Sequence, residues 1–400
     1  MDPLGVDQKY ALITRRLETQ NGWSAQKLQQ LLVSGKTIKY QWGTLAAAPA
    51  LQTLADDSCA VTAPTGKPHI GYFIPLIKFA DFIRAGGEVV VEFIDSYAFL
   101  VNYKFPWEQV CRRADYYKAL IVAALRAVGV PMSGVSTAKM SSYQGNDRFL
   151  VDFWKLCAVC AVQDARDTGA EVGESTMLSP LLTPLLQELG EEYLDVDVQV
   201  GGTDQRGIFN LGEQFLPELG YEKRVHLMNV LLPGLTGGKM SSSHPAFTKI
   251  MFLDDAETVR AKIAGAACPA RVVEGNGILP IVEHILFPAS EIRMLNLDGQ
   301  GRHDGTGGVI GRYAAERAPA GTLFSVSDAG GSRNYSTYGQ LEGDYLAGLV
   351  KPEVLKTAVA DAVDGLLRPI REAYSVDDEW KAADREGYPE DWARPGGEIE

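Results

Sequence analysis

Cysteine is scarce in this chain of 400 residues: there are five, Cys59, Cys111, Cys157, Cys160 and Cys268. An odd, scattered set builds no disulfide framework and fits a reducing compartment. Cys157 and Cys160 stand as C-x-x-C, but no second pair answers them. Their stretch, "FWKLCAVCAVQDA", reads as a helix with small buried residues rather than a redox or metal site. No apolar run reaches the roughly 18 residues that a membrane-spanning helix needs. The N-terminal "MDPLGVDQKYALITRRLETQ" lacks the basic-then-apolar pattern of a secretory leader. The expectation is a cytoplasmic protein with no membrane partner. Positive charge is short as well: 38 Lys and Arg against 51 Asp and Glu leave a net charge of −13. Such a chain does not coat DNA or RNA nonspecifically, although a local basic patch can still read one structured RNA. No internal repeat is visible.

What is present is an alternation of strand-like and helix-like segments. Residues 7–34 carry helical spacing, with Tyr10, Leu12, Ile13 and Leu17, then Leu28, Leu31 and Leu32. "KTIKYQWGT" reads as a strand, "YFIPLIKFADFIRAG" as a helix closed by Gly86 and Gly87, and "EVVVEFID" as a buried strand. That order is a βαβ unit, which predicts an α/β protein with a parallel sheet. Helical patterns follow over 107–130, 148–166 and 177–192. "LDVDVQV" alternates as a strand from Leu194 to Val200 and meets Gly201 and Gly202 before the helix "DQRGIFNLGEQFL". "RVHLMNVLL" is a further strand. From about residue 251 the pattern is helical again, interrupted by Gly-rich 298–311 and by "DAGGSRNYS" at 328–336. The acidic, Pro- and Gly-rich stretch 377–400 is expected to fray as a flexible tail.

Three Gly-containing segments fall at expected carboxyl ends of strands: 62–72, 201–205 and 237–243. Ligands of open parallel sheets sit there, and such turns offer N–H groups or helix starts to phosphates. In "TAPTGKPHIGY", His69 would stand at a helix start, where it could meet developing phosphate charge, and Gly71 would leave room for a nucleotide. A plain turn after Pro68 satisfies the same pattern. In "GGKMSSS", Lys239 is a point charge that can reach phosphates, and Ser241, Ser242 and Ser243 offer hydroxyls. A flexible linker is the alternative. In "VGGTDQR", Asp204 could hold a ribose hydroxyl and Gln205 a polar substrate group, against an ordinary strand-to-helix turn.

In this order the three segments resemble the class I aminoacyl-tRNA synthetases, and most closely the tyrosyl-tRNA synthetase family of eukaryotic and archaeal cytosolic type. "PHIGY" is similar to the family's HIGH element and "KMSSS" to its KMSKS loop. "ALITRRL", "EEYLDVDVQVGGTDQR", "LGYEKRVHLMN", "NGILPIVEHILFP", "LLRPIRE" and "EGYP" agree, so the resemblance covers roughly residues 8–390. It implies a Rossmann-like, doubly wound parallel-sheet catalytic domain over 1–250, with a helical dimerisation insertion at about 107–190 and an unusual segment at 45–61. A mostly helical anticodon-binding domain would follow over 251–376, then the tail 377–400. The implied substrates are ATP, with Mg2+ as Mg-ATP, an amino acid, and a tRNA. For a tyrosine enzyme the tRNA is tRNA(Tyr). A second copy of the chain is the implied protein partner, and no resident metal is expected. In the implied reaction the amino-acid carboxylate attacks the α-phosphate, and the acyl group then moves to the tRNA 3′ end. The protein supplies positioning and charge stabilisation. His69 and Lys239 are the implied catalytic pair. Gly66, His69, Gly71, Tyr72, Gly202, Asp204, Lys239, Met240, Ser241 and Ser242 are implied at ATP. Tyr40, Gln41, Asp95, Thr183, Gln187, Gly190 and Gln205 are implied at the amino acid.

Departures from the family fall in that last set. The family has a Tyr directly before Trp-Gly-Thr, which reads the substrate phenol; here Gln41 stands there and Tyr40 one place earlier. The family's Y-P-x-x-Q-x-x-D helix reads "TPLLQELG" here, so Gln187 is kept while Thr183 and Gly190 replace the Tyr and the Asp. The expectation is weaker discrimination of tyrosine from phenylalanine, with room for larger ring substituents. The rival readings are a paralogue that activates another aromatic or modified amino acid, and a non-catalytic RNA-binding protein. A second departure is an insertion: removing Leu45–Thr62 would restore "WGTAPTGKPHIGY". It reads either as a translated intron or as a loop at the mouth of the site.

Overall fold

The computed structural model describes residues 4–19, 22–44, 67–101, 105–237, 246–299 and 313–392. At its centre lies a five-stranded, all-parallel sheet in the order β3-β2-β1-β4-β5. Its strands are β1 (Lys39–Thr44), β2 (Glu88–Phe93), β3 (Val135–Lys139), β4 (Val198–Gly202) and β5 (Val225–Asn229). Helices α1 (Val6–Thr14), α2 (Gly22–Ser34), α3 (Phe73–Arg84), α4 (Asp95–Val101) and α5 (Trp107–Val128) surround its first half. Then come α6 (Asp147–Val159), α7 (Leu178–Tyr193) and α8 (Arg206–Phe215). The C-terminal part holds α9 (Ala256–Gly265), α10 (Phe287–Gly299), α11 (Tyr338–Leu346), α12 (Pro352–Val376) and α13 (Asp378–Gly387). It also holds an antiparallel hairpin, β6 (Phe324–Asp328) and β7 (Gly331–Tyr335).

The βαβ expectation is met by β1, α3 and β2. α3 is buried along almost its whole length, with Phe73, Leu76, Phe79 and Phe82 inside. It stops because Gly86 takes φ +89°, which lets the Gly87 N–H reach back to the Phe82 carbonyl at 2.9 Å. Strand alternation sorts β1 into two faces. Tyr40 stacks on Phe82 at 4.1 Å, and Trp42 meets Phe79 edge-on at 5.6 Å, so these two face α3. Gln41 faces α7 instead.

The helical stretch expected over 7–34 is two helices, because Arg16 takes φ +62° just beyond α1. The chain end there is held by charge: Arg15 pairs with buried Asp81 at 2.5 Å, and Lys78 donates to the Leu12 and Arg15 carbonyls at 2.8 Å each. β3 escaped the sequence reading, since its "VSTAK" carries too few apolar residues to stand out from a loop. So did the β6–β7 hairpin, which overlaps the interruption expected at "DAGGSRNYS". α5, expected to open the insertion, packs on α3, β2 and α12 and contributes Tyr117, Leu120 and Leu125 to the main core. A second core, with Met140, Phe149, Leu156, Leu189 and Phe215, lies under α6 and α7.

The expectation of a fraying tail is corrected over 378–392. Asp377 caps α13 by accepting from the Trp380 N–H at 2.9 Å, and Trp380, Ala383, Asp384 and Tyr388 are buried against α5. Two aromatics and an ordered cap outweigh the acidic composition. Buried Arg113 of α5 donates to the Gly387 carbonyl at 2.6 Å and lies over the Tyr388 ring at 4.7 Å. Lys67, two residues before His69, pairs with Asp384 at 2.7 Å and Asp391 at 2.8 Å. Residues 393–400 and the segment 45–61 lie outside the described residues.

Candidate active site

Strand order reverses between β1 and β4, so the crevice beyond their carboxyl ends is where this topology receives a ligand. His69 stands at this end of the sheet and opens a short 3-10 turn, Ile70–Tyr72, that leads into α3. Its Nδ1 accepts the Gly71 N–H at 3.1 Å, so the ring proton belongs on Nε2. Burial, with the Lys249 charge nearby, lowers its pKa to about 4. The ring is therefore neutral at working pH and offers an N–H rather than a formal charge. A Cβ on Gly71 would come within 2.7 Å of the imidazole, so this glycine makes room for His69 itself. Tyr72 meets His69 edge-on at 5.6 Å. At the end of β4, the Asp204 carboxylate folds over Gly202, where a Cβ would lie 2.3 Å from it.

Between the sheet and α7 lies a layer of polar side chains. Gln187 of α7 donates to Gln199 of β4 at 3.0 Å and to Gln205 at 3.2 Å. Gln41 and Gln199 are register partners across β1 and β4. Further along, Gln41 Nε2 donates to Glu92 Oε2 at 2.7 Å, and the Tyr143 hydroxyl donates to Glu92 Oε1 at 2.5 Å. Glu92 is fully buried; burial, only partly offset by the bonds from Tyr143 and Gln41, pushes its pKa up to about 7. Gly190 forms the ceiling. A Cβ there would stand 2.7 Å from the Tyr143 hydroxyl, 3.6 Å from Gln41 Nε2 and 3.7 Å from Glu92 Oε1. The space that the missing Asp side chain was expected to vacate is thus taken by Tyr143.

Of the residues expected at the amino acid, Gln41, Gln187, Gly190 and Gln205 come together here, and three do not. Tyr40 is on the opposite face of β1, as strand alternation demands, and cannot replace the family's tyrosine. Asp95 is buried and accepts from the Ser96 and Ser141 N–H groups at 2.9 Å each and from the Ser141 hydroxyl at 2.6 Å; it ties β2 to the turn before Tyr143. The Thr183 hydroxyl donates to the Pro180 carbonyl of its own helix at 2.8 Å. Gly66, Lys239, Met240, Ser241 and Ser242 lie outside the described residues. Glu92, Tyr143 and Gln199 were missed. Glu92 did leave a signal: a carboxylate between the apolar residues Val91 and Phe93 of the strand "EVVVEF" calls for a partner.

Deeper in the same layer, Glu188, Glu191 and His226 offer ligand atoms within 4.8 Å of one another, a set that could hold a metal ion. Both ring nitrogens of His226 are already engaged, Nε2 with Glu191 at 2.8 Å and Nδ1 with Glu213 at 3.1 Å. Burial alone would lower this pKa, but Glu191, Glu213 and Glu188 outweigh it and raise it to about 10. The cluster reads as an imidazolium held among carboxylates. Burial, then Glu191, drives Glu188 well above the usual carboxylate range.

A family model described as tRNA synthetases class I (W and Y) matches residues 60–368. The chain is 38% identical over 399 residues to the cytoplasmic tyrosine--tRNA ligase of Danio rerio, covering 99% of this chain and 66% of that protein. With the corresponding enzyme of Saccharomyces cerevisiae it shares 37% identity, covering 96% of this chain and 88% of the yeast protein. The chain thus spans just under two thirds of the length of the Danio rerio relative. Among solved structures, the tyrosyl-tRNA synthetase of Archaeoglobus fulgidus complexed with L-tyrosine superposes with a TM-score of 0.73 at 30% identity, covering 92% of this chain and 99% of that one. With the parallel sheet and the His69 turn at its carboxyl edge, these likenesses place the chain among the class I tRNA synthetases of the tryptophan and tyrosine group, and within it the chain belongs to the tyrosyl-tRNA synthetase family.

Proposed function

We propose that the chain activates tyrosine with ATP and transfers it to tRNA(Tyr). The observation that supports this reading is a neutral His69 with its proton on Nε2 in the turn that leads into α3, in a sheet whose polar layer under α7 holds the Gln187–Gln199–Gln205 set. A tyrosine carboxylate oxygen attacks the α-phosphorus of ATP, the bond to pyrophosphate breaks, and tyrosyl-adenylate forms. A terminal ribose hydroxyl of the tRNA then attacks the carbonyl carbon and AMP leaves. His69 donates from Nε2 to phosphate oxygens as charge gathers on them, and Lys239 adds a point charge from the "KMSSS" loop. Asp204 and Gly202 receive the adenosine, and Gln187 and Gln205 the amino acid's polar end. Mg2+ enters with the ATP phosphates.

Exposed Leu150, Val151 and Trp154 of α6 and Leu178 of α7 support a dimer formed through this part of the chain. The C-terminal helices and hairpin would read the anticodon. The names of the relatives support a cytoplasmic location. ATP–pyrophosphate exchange with tyrosine tests the reading. His69→Ala should lower kcat by about 10²-fold or more, as removal of one charge-stabilising donor does. Exchange that is undiminished in this variant overturns the role of His69, and no exchange with any amino acid overturns the activity.

A further inference from the structure

A parallel sheet covered by a helix normally shows that helix an apolar face. Here the face under α7 carries Gln41 and Glu92, both almost wholly buried. Glu92 has no cation paired with it among the described residues. Its two oxygens are met instead by Gln41 Nε2 and the Tyr143 hydroxyl. That commits the Gln41 amide: with Nε2 turned to the carboxylate, Oε1 points away, and it is buried with no partner. An acceptor left so costs about 1–3 kcal/mol.

The position of this orphan is informative. Gly190 and Gln187 stand three apart on one face of α7, about 5–6 Å from each other. Gln41 and Gln199 are neighbours across the β1–β4 pair. The glutamine set that would take the amino acid's polar end is therefore one aromatic ring's reach from Gln41, Glu92 and Tyr143. We infer that Gln41, Glu92 and Tyr143 form the subsite for the far end of the substrate side chain, and that it selects an aromatic amino acid whose ring carries a hydrogen-bond donor. This rests on the adenylate-forming activity proposed above.

With Glu92 ionised, the open capacity of the subsite consists of acceptors: Gln41 Oε1 and the remaining lone pairs of Glu92. A phenol or an aryl amine donates into it. Phenylalanine leaves Oε1 unmet. O-methyltyrosine brings an acceptor against a carboxylate. Recognition of a phenol thus moves from the family's Tyr and Asp to a Gln on the same strand and a Glu on the neighbouring one. A site built to hydrogen-bond a hydroxyl rejects the analogue lacking it by about 10⁴–10⁵-fold, a scale that tyrosyl-tRNA synthetases themselves established.

Exchange kinetics of the full chain test this with tyrosine, 4-aminophenylalanine, phenylalanine and O-methyltyrosine, in wild type, Glu92→Gln, Gln41→Leu and Tyr143→Phe. Wild type should accept the first two and reject the last two. Glu92→Gln and Gln41→Leu should each lower kcat/KM for tyrosine by about 10- to 100-fold, as loss of a satisfied buried hydrogen bond does. Gln41→Leu deletes the unmet acceptor and should raise the slow exchange with phenylalanine as exchange with tyrosine falls. The urea midpoint of unfolding reports whether each variant keeps its fold. Preference of the wild type for phenylalanine or O-methyltyrosine overturns the inference. So does a tyrosine-to-phenylalanine ratio unchanged in both variants, while exchange itself persists. Absence of exchange with every amino acid overturns the activity and the subsite together.

Discussion

Replacing Trp380 with alanine should destabilise the fold by about 3–5 kcal/mol, the usual loss when a buried tryptophan site is emptied. Trp380 is 3% exposed, edge-on to Tyr374 at 5.1 Å and to Tyr116 at 6.1 Å. It anchors α13 across α5. The loss is a large share of the roughly 5–15 kcal/mol that holds a domain together. The same helix brings Asp384 to Lys67, and Lys67 stands at the root of the His69 turn. Asp384→Asn keeps the shape and removes the charge. Among the described residues Lys67 then retains half-exposed Asp391 as its ion-pair partner, beside the Tyr116 and Tyr388 rings. A pair of intermediate burial contributes less than a fully buried one, so about 1–2 kcal/mol is expected. Urea unfolding followed by far-UV circular dichroism reads the first variant. The KM for ATP in pyrophosphate exchange reads the second, and it should rise several-fold as the turn loosens. A chain lacking residues 378–400 that unfolds at the same urea concentration as the full chain would refute the docking argument. So would a Trp380→Ala change below about 0.5 kcal/mol, the range of surface substitutions.

Two further outcomes follow from the polar layer. His226 gains affinity for its proton on folding, so its cluster stabilises the protein fully below pH 6.5 and loses that contribution as pH rises through about 10. The difference in unfolding midpoint between wild type and His226→Gln should therefore shrink between pH 6.5 and 10, and a constant difference would dismiss the imidazolium. Gly190→Asp restores the residue that the family carries, yet it sets a Cβ 2.7 Å from the Tyr143 hydroxyl and a second carboxylate beside Glu92. Tyrosine exchange should fall by tenfold or more (roughly the 1.4 kcal/mol of one strained contact), and improved tyrosine selectivity would count against the subsite.

Sequence pattern sufficed for β1, α3, β2 and α7, but it began β4 four residues early: the alternation from Leu194 runs through the turn after α7, where Asp195 takes φ +51°, and the strand itself is Val198–Gly202. The pattern failed at β3, an edge strand with half-exposed residues, and at α13, whose mean composition is acidic while Trp380 and, just past its end, Tyr388 do the packing. The domain boundaries blurred for a related reason. α5 reads as part of an insertion by position, but its buried tyrosines join the sheet's core to α12 and α13. Local pattern reports which face of a helix is apolar, not which partner covers it.

The His69 turn was legible because its geometry is local: His69 and Gly71 are two residues apart, and their hydrogen bond is fixed by one turn. The proposed amino-acid subsite was not, because it is assembled across the sheet. Gln41 and Glu92 lie on neighbouring strands, Tyr143 arrives from beyond β3, and Gly190 hangs from α7. Each substitution read alone suggests a loss: a tyrosine exchanged for Gln41, an aspartate for Gly190. In three dimensions they compensate one another. The glycine admits the Tyr143 hydroxyl, that hydroxyl and the Gln41 amide hold a buried carboxylate, and the amide's other end is left as an acceptor. A one-residue shift of β1 would turn Gln41 away and bring Tyr40 in. The register of a single strand therefore decides whether Glu92 meets the Gln41 amide.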